Sequence, residues 1–337
     1  MNSKHNYRQN NTVTVWAVLA ALLVASALLS LLLGSSRLTL QQVVGGIAGT
    51  QDRQLNVIMR NIRLPRLAAA AVSGVGLSVA GVLLQAVTDN DLASPNIVGV
   101  NSGAGFAVIV MLSLFPQMHG LLPFAAFFGA LAASVTVVGI ASKINVSRST
   151  VVLAGVALTT LLNAGISFVN LVDTDVMAGY SHFSIGGFAG VTLSDVALPA
   201  VLVALSLAVA LILSDRISVL CLGDSLAASL GVRVKPLRMV CLVCASMCAA
   251  AVVSFAGLLG FVGLVVPHIA RAVVGRDTKK SLVTAAIAGA VLVINADMLG
   301  RVVLAPTEIP VGTVMAFIGV PFFAYLILRR KHNVTDN

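Results

Sequence analysis

Charge is scarce in this sequence. Asp, Glu, Lys and Arg together make up 10% of 337 residues, and Glu308 is the single glutamate. A water-soluble globule of this length cannot cover its surface with so little polarity. The pattern G-x-x-x-x-G-K-[ST] is missing, so the chain does not bind ATP in the P-loop manner by itself, and H-E-x-x-H is missing too. The middles of the long apolar stretches are almost free of ionisable groups. That weighs against an intramembrane enzyme, which needs a nucleophile, a base or a metal cluster. It also weighs against a proton- or sodium-coupled carrier, whose coupling carboxylates sit near the bilayer midplane. Cysteine is sparse: Cys221, and Cys241, Cys244 and Cys248 at i, i+3 and i+7 of an apolar segment that offers no polar partners for a metal. These three read as small packing residues.

What the chain does have is apolar length. Hydrophobic residues make up 58%, and the mean hydropathy is +1.01. Stretches near the 20 residues that cross a hydrocarbon core of about 30 Å recur at 13–33, 64–86, 95–114, 121–141, 150–171, 192–213, 237–254, 258–274, 281–299 and 312–328. The alternating short segments of a membrane barrel are absent. The expected fold is therefore all-α, a polytopic membrane protein of about ten helices forming one domain over 1–337. The first run reads as a retained helix and not as a cleaved leader. Net charge of +9 is spread in short clusters between apolar runs, which argues for membrane loops and against nucleic acid.

Threading ten spans from an inside N-terminus puts fifteen of the 21 Lys and Arg residues inside, including those of the tails 1–12 and 329–337, and six outside. Both termini are then expected in the cytoplasm. Residues 34–62 form an external region in which Thr39 is placed to cap a short helix running to about Ala48. Residues 214–236 form an internal loop, SDRISVLCLGDSLAASLGVRVKP, expected as two short amphipathic turns broken at Gly223 and Gly231. Its Leu220, Leu222, Leu226 and Leu230 offer an apolar face to a cytoplasmic partner. On the outer side, Arg60, Arg63 and Arg66 share a spacing of three, and bidentate guanidinium groups there suit an acidic protein partner or lipid headgroups. Asp297 and Arg301 are spaced i, i+4 at a span end, as a local ion pair would be.

Six blocks in order carry a resemblance: IRLPR at 62–66 with GVGLSVAGVLLQA, LASPNIVGVNSGAG at 92–105, LAGVAL at 153–158, LGDSLAASLGV at 222–232, GLLGFVGLVVPHIAR at 257–271 and EIPVGTVMAFIGVPFFAYL at 308–326. The chain resembles, nearly end to end, the FecCD-type, BtuC-like permeases of type II ATP-binding-cassette (ABC) importers for iron-siderophores, haem or vitamin B12. The resemblance implies a permease in the plasma membrane of a prokaryote, paired with a second permease subunit that is the same chain or a paralogue. Two cytoplasmic ATPases would hold ATP-Mg, the chain itself binding no cofactor and catalysing nothing, and a substrate-binding protein would sit outside. An Fe(III)-siderophore is the expected cargo, with haem or cobalamin as alternatives.

Residue by residue, the resemblance implies docking of the binding protein at Arg63, Arg66 and Arg301. It implies ATPase coupling through Leu220, Gly223, Asp224 and Ala227, and a cytoplasmic gate at Asn90, Leu92, Arg148 and Ser149. The chain departs from the family pattern where a usual Asn-Pro reads Asn90-Asp91, and where Arg148 replaces a small polar residue; whether Asp91 and Arg148 pair across the gate the sequence leaves open. Near 182–193 the family often shows tryptophan; here stand His182, Phe183 and Phe188.

Overall fold

A computed structural model describes the backbone of residues 2–34, 36–144 and 148–335, and over these the chain is helical with no strand. The chain opens with α1 (Asn2–Leu32), then α2 (Leu40–Ala48) and α3 (Arg53–Val57). A π-helical turn (Ile58–Arg63) fuses α3 without a break to α4 (Leu64–Thr88). Next come α5 (Val100–Leu114), α6 (Leu122–Ile144), α7 (Arg148–Val172), α8 (Val176–Ile185) and α9 (Leu193–Ile212). Two short helices follow, α10 (Ser214–Leu220) and α11 (Asp224–Ser229). The chain closes with α12 (Val234–Ala256), α13 (Val262–Val274), α14 (Thr278–Val302) and α15 (Val311–Thr335).

Seven of these helices are long and apolar enough to span a membrane, and α5, α13 and α15 supply three shorter apolar helices. The ten apolar segments expected from the sequence thus each become a helix. Helices satisfy every backbone group within the segment, which is the condition for crossing lipid. At the centre, α4 packs against α14, α12 and α13, and these helices hold most of the buried core, whereas α1 and α7 are peripheral. Close approach depends on small residues: a methyl at Gly74 would stand 2.1 Å from the Gly289 carbonyl oxygen, so α4 and α14 meet backbone to backbone.

Thr39 caps α2 as expected, in a reciprocal capping box with Gln42. The internal loop also breaks where expected, with Gly223 at φ 112° and Gly231 at φ 81° on either side of α11. Two features were not anticipated. α8 reads VMAGYSHFSI, too short and too mixed in polarity to show a period. The π turn alters the register between Arg60 and Arg66, so the three arginines do not share a face: Arg60 is exposed, while Arg63 and Arg66 are buried.

α14 relates the two ends of the bundle. Near its start, Thr278 pairs with Ser218 of α10 (2.9 Å); near its finish, Asp297 pairs with Arg66 of α4 and with Arg301. The 23 residues between Thr278 and Arg301 rise about 35 Å. The arginine cluster and the 214–236 segment therefore lie at opposite ends, about a bilayer apart.

Candidate functional site

At the arginine end, five charged side chains converge. Arg66 Nε lies 3.0 Å from Asp297 Oδ1, and its Nη1 donates to Glu308 Oε2 at 2.6 Å. Arg301 Nε stands 3.0 Å from Asp297 Oδ2. The expected i, i+4 pair exists, but it is buried and shared with a third helix. Arg63 and Arg301 turn toward the end of α1: Arg301 Nη2 donates to Ser30 O (3.2 Å) and Ser30 Oγ (2.8 Å), and Arg63 donates to Leu31 O and Ser36 O. The last turn of any helix leaves carbonyls without intrahelical partners and carries partial negative charge. Two arginines distant in sequence supply what α1 lacks, since no basic residue lies in its own last turn.

Arg63 and Arg66, expected to face outward, are thus corrected to buried groups, as is Arg301. All three are at most 6% exposed. Their charges are engaged inside the subunit, because a buried guanidinium without partners would be prohibitively costly. Three guanidiniums nevertheless face only two carboxylates, so the cluster keeps one positive charge. Among the described residues, Glu308, whose side chain is 35% exposed, brings the cluster to solvent. A hollow of about 200 Å³ opens there, lined by Arg66, His182, Phe188, Glu308 and Pro310.

At the opposite end, α10 and α11 fold back on the bundle. Ile217, Leu220 and Ala227 are buried, whereas Leu222, Leu226 and Leu230 are exposed. Leu220 and Ala227 are therefore corrected from contact residues to anchors of the segment. Asp224 is held by Arg238, with Nη2 to Oδ1 at 2.8 Å and to Oδ2 at 3.0 Å, and Arg238 is itself 1% exposed. Gly223 supplies the positive φ that lets α11 start at a sharp angle to α10.

Beside this segment lies the loop after α4. Leu92 N donates to Asn90 Oδ1 (3.0 Å), and Gln85 Nε2 donates to Ala93 O (3.3 Å), so the loop is strapped to its own helix. Asp91 pairs with Arg271 of α13. The pairing of Asp91 with Arg148 falls on a side chain outside the described residues. Arg148 and Ser149 begin α7, and their side chains lie outside the described residues. A cleft of about 170 Å³ separates this loop from the 214–236 segment, its walls including Gln85, Asp89, Asp91, Ser218, Arg271 and Thr278. His268 of α13 lies edge-on to Phe322, with ring centroids 6.0 Å apart.

The model of the FecCD transport family matches residues 22–329. The chain belongs to the FecCD transport family. It is 38% identical over 317 residues, 93% of this chain and 82% of the relative, to the iron(3+)-hydroxamate import system permease protein FhuB of Bacillus subtilis. It is 40% identical over 280 residues, 82% of this chain and 74% of the relative, to the cobalamin import system permease protein BtuC of Halobacterium salinarum. A solved structure described as an inward-facing conformation of a transporter assigned to the metal-chelate type of ABC transporter is similar at 28% identity. Its TM-score is 0.84, with 94% of this chain and 99% of that chain covered.

As a FecCD permease, the chain is a multi-pass transport subunit of ABC importers, a family whose members work with ATPases and binding proteins. Its two ends fit a subunit that must hold partners on both sides of a bilayer. The family resemblance led to Arg63, Arg66 and Arg301 but gave no role to Glu308, although it opens the 308–326 block, nor to the α1 carbonyls. Glu308 was legible as the one glutamate of the chain; the carbonyls carry no side-chain signal at all.

Proposed function

We propose that this permease subunit passes a ferric chelate, foremost an Fe(III)-siderophore, inward across the plasma membrane of a prokaryote, with both termini in the cytoplasm. The observation that carries the reading is the leucine ridge Leu222, Leu226 and Leu230, exposed at one end of a bundle that has no nucleotide-binding loop. Apolar side chains left bare beside a polar loop need a protein partner, and separate ATPases would supply both the cover and the energy. Gly223 and Asp224 set the angle of the ridge, and Asn90 and Leu92, with Arg148 and Ser149, form the gate that it would move. ATP binding would act through different affinity of the ATPases for two arrangements of the permease.

At the other end, the binding protein would dock over Arg63, Arg66 and Arg301. The surplus positive charge of their cluster favours an incoming carboxylate, which would compete with Glu308 for Arg66. A second permease subunit, the same chain or a paralogue, would complete the path, and lipid would surround the rest. The chain would contribute no catalysis and bind no cofactor. The hydroxamate permease relative supports the cargo. A second reading, a cobalamin or haem cargo, is favoured by the 40% identity to a cobalamin permease.

The test is uptake of radioactive ferric hydroxamate into proteoliposomes holding the permease, its ATPase and its binding protein. Uptake that needs all three and ATP is expected. Uptake by the permease alone would overturn the importer reading, and ATP-driven uptake of cobalamin but not iron would select the second cargo.

A further inference from the structure

Two arginines at the 214–236 end are left over from the ion pairs. Arg238 is held by Asp224 and Arg271 by Asp91, but the guanidinium groups of Arg216 and Arg233 are exposed and have no hydrogen-bond or ion-pair partner among the described residues. Both stand on one hollow of about 580 Å³, over a floor that includes Leu213, Leu237 and Val240. That volume is within the usual range of small-molecule sites, about 300–1,000 Å³.

The helices that frame the hollow fix its depth. α9 has 20 residues and rises about 30 Å, the thickness of a hydrocarbon core, and Arg216 follows about one turn after its last residue, Ile212. Arg233 immediately precedes α12, one turn before Leu237. α9 and α12 pack against each other, so both guanidiniums reach the level at which the apolar core gives way to lipid phosphates. Ile212, Val240 and Val243 are exposed beside the hollow, which therefore opens toward acyl chains as well as toward water.

We propose that this hollow binds an anionic phospholipid of the leaflet on the 214–236 side, with Arg216 and Arg233 on its phosphate and the apolar floor under its first methylenes. Guanidinium forks match phosphate oxygens bidentately, and each basic side chain at a membrane surface adds about a fivefold preference for anionic lipid. Charge and polarity together choose the occupant: a lipid is anionic at one end and apolar at the other, whereas a free phosphate would leave the leucine floor bare. One lipid bound by both arginines joins the beginning of the 214–236 segment to its end and braces the ridge between them. The proposal goes beyond the importer reading and depends on neither its cargo nor its partners.

The permease is to be reconstituted alone in phosphatidylcholine vesicles holding brominated phosphatidylglycerol or brominated phosphatidylcholine at equal mole fraction. Quenching is read from Ile212→Trp at the edge of the hollow, in a Trp16→Phe background that removes the one native tryptophan. Ile140→Trp is the control reporter: α6 starts beside the start of α9, with Pro123 and Leu198 on a common hollow, so Ile140 near its finish is exposed at the same end as Ile212. A preference for phosphatidylglycerol of about 30-fold is expected at Ile212→Trp, falling to about fivefold in Arg216→Gln or Arg233→Gln and vanishing in the double variant. Equal preference at both reporters would mean diffuse attraction to a basic surface and overturns the site, as does a preference that survives in the double variant. Leu230 of the ridge also borders the hollow, so two competitors complete the test. A preference abolished by inorganic phosphate assigns the arginines to a free anion, and one abolished by purified ATPase assigns them to that protein; either result overturns the lipid site and leaves the importer reading untouched.

Discussion

Replacing the leucine ridge by serine should release the ATPase without unfolding the permease. Leu222, Leu226 and Leu230 are 62%, 49% and 60% exposed. Burying a whole leucine side chain stabilises by about 2 kcal/mol, so covering the exposed part of each gains about 1 kcal/mol. Together the three supply about 3 kcal/mol, or about a hundredfold in dissociation constant. The segment itself is held by Ile217, Leu220 and Ala227, which are buried, and by the Asp224–Arg238 pair. None of these changes in a Leu222→Ser, Leu226→Ser, Leu230→Ser variant. The measurement is a titration of fluorescently labelled ATPase against the permease in lipid nanodiscs, with thermal stability of the permease alone as the control for folding. Expected are a weakening of about a hundredfold for the triple variant and about fivefold for Leu226→Ser alone. A triple variant that binds within about twofold of the parent would show that the ridge is not the ATPase contact, whatever its exposure.

Two further outcomes follow from the ion pairs. Asp297→Asn removes the carboxylate that bridges Arg66 and Arg301 and should destabilise by about 3–5 kcal/mol, because it strands buried guanidinium charge; an unchanged midpoint for thermal loss of the monodisperse, detergent-solubilised protein would count against that bridge. Arg271→Asp should loosen the loop after α4, the proposed gate, and raise ATP hydrolysis relative to uptake by about fivefold or less, as an exposed pair contributes at most about 1 kcal/mol. Adding Asp91→Arg should restore the ratio, and failure of the swap would dissociate this pair from gating.

The helices were legible because lipid imposes one rule on every span, enough consecutive apolar residues to reach across. Thr39 announced α2 for a similarly local reason: the cap it forms, completed by Gln42, lies within four residues. Gly223 and Gly231 marked the ends of α11 because a positive φ needs glycine whatever surrounds it. α8 escaped notice, since its ten residues mix glycine, serine, histidine and aromatics and its place depends on packing against α5. The division of the internal leucines into an anchor, Leu220, and a ridge could not be read from hydrophobicity, which is the same for all four.

The arginines mark the boundary most clearly. Sequence by itself determined that guanidinium groups gather where α4 begins and α14 ends, that the arginine cluster and the 214–236 segment fall at opposite ends of the spans, and that the chain lacks a P-loop motif, because these depend on composition and on distance along single helices. Only the tertiary structure decided where each charge points. A π turn of one residue's extra width and the open carbonyls of α1, more than 25 residues away in sequence, draw Arg63 and Arg301 inward. Asp297 and Glu308 claim Arg66 in the same way. Burial makes an unpaired charge so costly that the partner's position fixes the side chain's direction, and that position exists only once the helices have packed.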